Sequence, residues 1–478
     1  MATSLQIRYY VTAVLLAVLC AVAAVFLESH LLFFAPIAMV CLIAISHQPH
    51  LVFYLLLASV PWSIEYNVTP SLGTDLPDEP LMLLTGFSLV AFLLYSKSSL
   101  RFRSFFSPLG LLLILQFSWF CITVACSTLP LISFKFLLAK SWYLLAFVIT
   151  PFVLFQEKKH LRNAAFILAS SMMLCTIIGL VRHAELGFTF GKINDSLRPF
   201  FRNHVNYSAL LVCMIPLLTL YYKRAVSKVK KWSRAILIII AVGALFLSYA
   251  RGAWLALIVG GAAYWLLQKR GFLKTYLLSF LLLFIGLFWM IRNDKYLEYA
   301  HDYNTTVFHT NFQEHLVATY QFKDVSTAER FYRWIAGVRM IKDRWETGFG
   351  PNTFYHHYRG YAVPAYKTWV SENEEHSTVH NYFLLTIIEQ GVIGLLLLLV
   401  LLGYIFWRAQ YLYHNMQDAF WKAAISTSTV ILAMLCTVNF LSDLVETDKL
   451  GSVFYICIAV ILVADVKTRQ DLQLTPNV

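Results

Sequence analysis

Charge is what this chain has least of. Asp, Glu, Lys and Arg make up 13% of its 478 residues, against 59% apolar types. That balance excludes an ordinary soluble domain and indicates a polytopic membrane protein. Cysteine is absent from the polar stretches: all eight (Cys20, Cys41, Cys121, Cys126, Cys175, Cys213, Cys436, Cys457) fall inside apolar runs. This excludes a disulfide framework and a Cys-based zinc site. There is no Gly-rich phosphate loop and no serine nucleophile elbow, so nucleotide-driven and serine-esterase chemistry find no support. An internal repeat with paired broken helices, the mark of many transporters, is also missing. The few charges sit at helix boundaries rather than in mid-helix, which again argues against a transporter or flippase.

What the chain does have is apolar runs, about fourteen of them, long enough to cross or nearly cross a bilayer. They centre near Leu16, Ile37, Leu56, Ser88, Ile114, Leu145, Leu174, Leu211, Ile240, Leu257, Leu283, Leu396, Ile431 and Val460. The second and third are short enough to form one re-entrant pair. Val11–Phe26 lacks a small-residue cleavage site and reads as a retained first helix. The expected fold is therefore an all-α polytopic membrane protein of about 12–14 transmembrane helices with one long outward loop. Four regions follow: N-terminal transmembrane helices over 1–200, central ones with Arg251 over 201–291, the loop over 292–375, and C-terminal helices over 376–478.

The formal charge of +12 reads as a topology signal rather than a nucleic-acid patch. With the N-terminus and Arg8 placed inside, alternate loops carry the basic clusters Lys97/Arg101/Arg103, Lys158/Lys159/Arg162, Lys223–Arg234, Lys269/Arg270/Lys274, Arg408/Lys422 and Lys467/Arg469. The opposite loops include the acidic Ser63–Pro80 and Ser442–Lys449. This is the positive-inside pattern, with membrane lipids as expected partners and no nucleic acid. Basic groups that break it need another reason: Arg182, Lys192, Arg198 and Arg202 in one outward loop, Arg251 in SYARGAWLAL, and several in 292–375. An ionisable group placed like Arg251, almost between two apolar spans, is costly and usually functional.

The long loop carries its own helix signal. Ser326-Thr-Ala-Glu329 is a capping-box pattern, and Phe331, Trp334, Ile335, Val338 and Ile341 follow at helical spacing. Gly348, Gly350 and Pro351 are expected to stop the helix. Arg330 and Arg333 fall in its first turns, where an anion is favoured. After the loop comes VHNYFLLTIIEQGVIGL, Val379–Leu395, the stretch on which the functional reading turns. His380 and Asn381 stand at a helix start, and an imidazole titrates near neutrality. Gly391 and Gly394 share a helix face and would let a neighbouring helix approach closely. The cluster of His376, His356, His357, Glu372, Glu374 and Glu375 lacks the HExxH arrangement, and Glu446-Thr-Asp448 is only a short acidic pair. No metal is expected.

These segments resemble the O-antigen ligase and polymerase superfamily of bacterial envelope glycosyltransferases. His380-Asn381 followed by Gly391-x-x-Gly394 is similar to its ligase-type motif. Tyr249-Ala-Arg251-Gly252 resembles its Ser-Arg-Gly segment opening a helix, with Tyr249-Ala in place of part of the usual lead-in. Arg330-x-x-x-Trp334 and Gly348-Phe-Gly350 resemble its Arg…Trp…Gly-x-Gly segment, with Glu346-Thr347 in place of Pro-Leu. Phe201-Arg202-Asn203-x-x-Asn206 is similar to its Phe-x-Asn-x-x-Asn helix start. The likeness is best over Phe201–Val400.

The resemblance implies a GT-C-like helical fold in the bacterial inner membrane with the site facing the periplasm. It implies an inverting glycosyltransferase without metal or cofactor, whose donor is an undecaprenyl-diphosphate-linked glycan. The acceptor is a lipid-anchored or glycan hydroxyl such as lipid A core. His380, Arg251 and Arg330 become the expected catalytic residues. Arg202, Asn203, Asn206, Arg333 and Asn381 become the expected substrate-binding ones, with Gly391 and Gly394 structural. A polysaccharide polymerase or a protein O-oligosaccharyltransferase would use the same parts on another acceptor.

Overall fold

A computed structural model describes residues 48–69, 72–96, 104–292, 325–363 and 378–474. Its elements in order are α1 (Pro49–Ser59), β1 (Ile64–Thr69), β2 (Leu72–Leu76), α2 (Asp78–Ser96), α3 (Pro108–Ala125), α4 (Pro130–Leu154), α5 (Lys158–Glu185) and α6 (His204–Lys223). Then follow α7 (Lys228–Leu247), α8 (Arg251–Gln268), α9 (Phe272–Arg292), α10 (Val325–Asp343), α11 (Phe354–Tyr361), α12 (Tyr382–Asn415), α13 (Ala419–Phe440) and α14 (Asp448–Leu474). The chain is an all-α multi-pass membrane protein. Every apolar centre that falls on described residues lies in a helix, and among the described residues seven helices (α3, α4, α5, α6, α12, α13 and the Asp448–Arg469 part of α14) are long and apolar enough to cross a membrane. The runs at Leu16 and Ile37 lie outside the described residues.

Local chemistry explains the helix ends. Ser107, Asn203, Ser227, Asn381 and Asp418 each accept a hydrogen bond from a first-turn N–H, the role short polar side chains take at helix starts. Within α4 the backbone widens into a π-turn over Leu145–Ile149, just before Pro151. Proline has no N–H to give, so the regular ladder has to be broken near it.

α14 forms the centre of the bundle. Its membrane window is 89% buried, and Ile458 through Ala464 are almost wholly covered. A helix apolar on all sides belongs inside a bundle. α8 lies against α13 through Ala253, Ala256, Gly260 and Ala263, a stripe of small residues at helical spacing that is buried throughout. The packing leaves little room at Gly260: a Cβ there would come within 2.1 Å of the Met434 terminal methyl, and that side chain would have to shift. It also fixes where α8 begins: Gly252 lies over Leu441, at the end of α13.

Two parts of the loops differ from the expectation. The acidic stretch after α1 is an antiparallel hairpin, with Ile64 paired to Leu76. The loop helix α10 ends at Asp343, before the glycines expected to stop it, and a second short helix, α11, follows. The apolar stripe of α10 packs on the bundle: Ile335, Ala336 and Met340 are buried, and Gly337 lies against Ile388 and Leu384 of α12.

Candidate functional site

The site is built at the bundle end where α6, α8, α12 and α14 begin and α13 stops. His380 sits just before α12 with φ 53°, a left-handed conformation uncommon outside glycine. Such a residue costs of order 1–3 kcal/mol and persists only when its surroundings hold it. Several contacts do so here. The His380 N–H donates to the Thr378 hydroxyl (3.3 Å), and the Tyr382 N–H donates to the Ser442 carbonyl (2.9 Å). From α10, the Arg333 guanidinium donates to the Thr378 carbonyl (3.1 Å) and the Trp334 indole to the Val379 carbonyl (3.0 Å). At about 1 kcal/mol net each, four such bonds match the strain they hold.

The ring is placed by the same contacts. His380 Nδ1 lies 3.8 Å from Asp443 Oδ1, beyond hydrogen-bond length, and 34% of the histidine side chain remains exposed. The Thr378 hydroxyl donates to the other oxygen of Asp443. Among the described residues nothing hydrogen-bonds either ring nitrogen. Burial, then the positive charges of Arg330, Arg333 and Arg202, push the imidazole down to about 3. Burial pushes the Asp443 carboxyl up. Both shifts disfavour a charged pair, and the ring lies beside a group of cations.

The other expected residues gather at the same end. Arg251 opens α8, half-buried, one residue from the Gly252–Leu441 contact. Tyr249, which precedes it, has φ 57° and is tied by its hydroxyl to the Phe188 carbonyl (2.7 Å). Arg330 is half-buried on α10, one turn before Trp334, and Arg202 is exposed ahead of α6. Arg333 is buried and also faces Glu329 at 3.6 Å. Asn381 caps α12 through Leu384 N–H (3.0 Å), and Asn203 caps α6 through Val205 and Asn206 N–H (3.0 Å each). Asn206 is half-buried in the first turn of α6. Arg333, Asn203 and Asn381 therefore spend polar groups on building the site. Arg202 is exposed, and Arg251 and Arg330 are half-buried. Arg182 and Lys192 are used locally, on the Arg198 and Asp195 carbonyls and the Asp195 carboxylate.

Of the two glycines, Gly391 acts differently from the expectation. Gly391 has φ 71° and ψ −176°, which breaks α12 and frees its carbonyls. The loop before α11 enters the break. Phe349 N–H donates to the Ile388 carbonyl (2.9 Å), Gly350 N–H to that of Glu389 (3.0 Å), and Val392 N–H to that of Trp345 (2.8 Å). Buried backbone groups at membrane depth must be satisfied within the protein, and this clasp does that. A Cβ on Gly391 would meet the Glu346 carbonyl oxygen at 1.9 Å, so Gly391 admits a loop rather than a neighbouring helix. Gly394 does admit helix packing: Trp119 of α3 comes within 3.3 Å of a Cβ there and donates to the Gln390 carbonyl (2.9 Å).

Sequence reasoning missed Thr378, Asp443 and Glu389. Glu389, buried in α12, accepts from the N–H groups of Asn352 (2.9 Å), Thr353 (3.1 Å) and Phe354 (3.2 Å) at the start of α11. A lone acid in an apolar run was the available signal for it. Asp443 gave no local signal, being far from His380 along the chain. Of the weighed metal residues, Glu446 is paired with Lys140 (2.9 Å) and His357 with the Thr128 hydroxyl (2.8 Å). His376, Glu372, Glu374 and Glu375 lie outside the described residues. Among the described residues no group of three or more His, Cys, Asp or Glu is placed to hold a metal ion.

Comparison with known proteins bears on the same segments. No curated protein matches the chain. Residues 235–399, which run from α7 into α12, match a family model. The match takes in Arg251, Arg330, Arg333, His380, Asn381, Gly391 and Gly394. It leaves out Arg202, Asn203, Asn206 and Asp443. The model is described as O-antigen ligase, and it supports assignment of the chain to the O-antigen ligase/polymerase superfamily.

Proposed function

We propose that this chain of the O-antigen ligase/polymerase superfamily transfers a glycan from an undecaprenyl-diphosphate donor to an acceptor hydroxyl at the periplasmic face of the inner membrane. The observation that carries the reading is the clamped His380 beside Asp443, with Arg202, Arg330 and Arg333 close enough to act on it electrostatically.

In this reading the acceptor oxygen attacks the anomeric carbon from the side opposite the diphosphate. The new carbon–oxygen bond forms as the bond to the diphosphate breaks, with inversion. The acceptor proton passes to His380 as general base. The electron pair leaves with the diphosphate, whose growing charge is met by Arg251 and Arg330, through planar forks suited to phosphate oxygens. The same cations that depress the imidazole would be offset by the bound diphosphate, so donor binding would make His380 a stronger base. Asp443 would then stabilise the imidazolium. Arg333 and Trp334 act as positioning residues on the backbone ahead of His380.

A ligase and a polymerase share every step except the acceptor. The test is a product assay with purified protein, a lipid-linked glycan donor and three acceptors: lipid A core, a second lipid-linked repeat, and a Ser/Thr peptide. Glycosylated lipid A core supports the ligase reading. Extension of the repeat alone would make the chain a polymerase, and glycopeptide alone a protein glycosylating enzyme. No transfer to any acceptor would sink the proposal.

A further inference from the structure

One cavity lies away from His380. It holds about 670 Å³ and is enclosed by α5, α6, α7, α13 and α14. Its charged end lies by the last turn of α6, about 30 Å along that helix from His204 and the candidate site. Four cations line it near that end: Arg162, Arg224, Lys230 and Arg234. Its inner walls are apolar, including Phe166, Ala169, Met173, Ala424, Ile431 and Val460. A volume within the usual range for ligand sites, apolar walls and a few convergent polar groups are what a small-molecule pocket needs.

Arg224 and Arg234 are held in place but are not neutralised. Arg224 donates to the Ala419 carbonyl (3.1 Å) and lies 5.4 Å from the Phe420 ring. Arg234 donates to the Tyr221 carbonyl, and the Tyr221 hydroxyl donates to the Arg162 carbonyl (3.4 Å). Among the described residues no carboxylate pairs with any of the four. The nearby acid Asp418 is taken by Lys158. Main-chain carbonyls thus orient Arg224 and Arg234 and leave their charge unopposed. Guanidinium groups of this kind suit a phosphate. The apolar part runs from Arg162 to Met173 on α5, about 16 Å. That is about half of the roughly 30 Å hydrocarbon thickness, the depth of one leaflet.

We propose that this cavity is a binding site for an anionic phospholipid, with an acyl chain along the apolar walls and the phosphate among Arg162, Arg224, Lys230 and Arg234. The lipid would fill the space between α14 and the outer helices α5 and α7.

The test uses the full-length protein in nanodiscs of equal phosphatidylglycerol and phosphatidylethanolamine, followed by native mass spectrometry of retained lipid. The site predicts selective retention of phosphatidylglycerol that weakens with salt. Arg224→Gln/Arg234→Gln should weaken it by on the order of 30-fold, two cationic contacts at about 1 kcal/mol each. Ala169→Leu, which fills the wall without changing charge, should also displace the lipid. Equal retention of both phospholipids by the wild type, or unchanged selectivity in both variants, would overturn the proposal. Titration with a polyprenyl phosphate that displaces phosphatidylglycerol at equal concentration would also overturn it, by making the cavity a carrier-lipid site. The wild-type selectivity and its salt dependence remain decisive even if a variant fails to fold.

Discussion

Removing the Glu389 carboxylate should release the loop unit that clamps His380. Its two oxygens take three N–H groups at the start of α11; the bonds from Thr353 and Phe354 are buried and the one from Asn352 is part-buried. Glu389→Ala leaves the two buried donors without a partner, at about 1–3 kcal/mol each, so the clasp loses at least about 2 kcal/mol. That corresponds to roughly a 30-fold larger population of the opened unit. The unit includes α10, α11 and the small core of Met340, Phe349, Phe354, Val379 and Ile388. Arg333 and Trp334 would leave the backbone of Thr378 and Val379 as it opens. Glu389→Gln keeps an acceptor for Thr353 and Phe354 and should show a much smaller effect. Limited proteolysis over 345–361 in detergent reads the opened population directly when cleavage is slow relative to closing. Glycan transfer should fall in parallel. Wild-type protease resistance in Glu389→Ala would refute the clasp. Full transfer alongside an opened loop would refute its role in holding His380.

The pH profile gives an independent check. With the free-protein imidazole held at about 3, the proton-accepting form persists well below neutral pH, so the acid limb of kcat/KM should lie far below 6.5. Donor diphosphate offsets the arginines, which raises the imidazole, so the acid limb of kcat should sit at higher pH than that of kcat/KM; coincident limbs near 6.5 would contradict this. Sidedness is tested with single cysteines in a cysteine-free background: an impermeant thiol reagent should label Asn352→Cys in intact spheroplasts and the 99% exposed Val226→Cys only after lysis. The reverse pattern would put His380 on the inner side.

The helices were readable because each apolar run had to be long and continuous for a bilayer, and the centres on described residues all fall in helices. The sequence also pointed to α10, since Phe331, Trp334, Ile335, Val338 and Ile341 repeat at helical spacing. The hairpin before α2 was not visible, because its strands are short and partly polar. His380 and Arg251 stood out as ionisable groups at helix starts. What could not be read were relations across the chain. Asp443 meets His380 only because α13 packs against α8 and α12. Gly391 looked like a packing glycine, and only the fold shows that it breaks α12 to admit residues 345–350. Arg333 looked like a phosphate ligand by residue type, but its place inside the loop makes it a backbone clamp.

The central claim is that His380 takes the acceptor proton while Arg251 and Arg330 hold the diphosphate. The most direct measurement is turnover and donor affinity of His380→Gln beside Arg251→Ala and Arg330→Ala, each purified in nanodiscs. His380→Gln keeps a hydrogen-bonding side chain and loses the proton acceptor, so turnover should collapse with donor affinity nearly unchanged. The arginine variants should lose donor affinity together with turnover, on the order of 100-fold or more in rate, and lysine should restore it only in part. Near-wild-type turnover in His380→Gln would contradict general-base catalysis at this site.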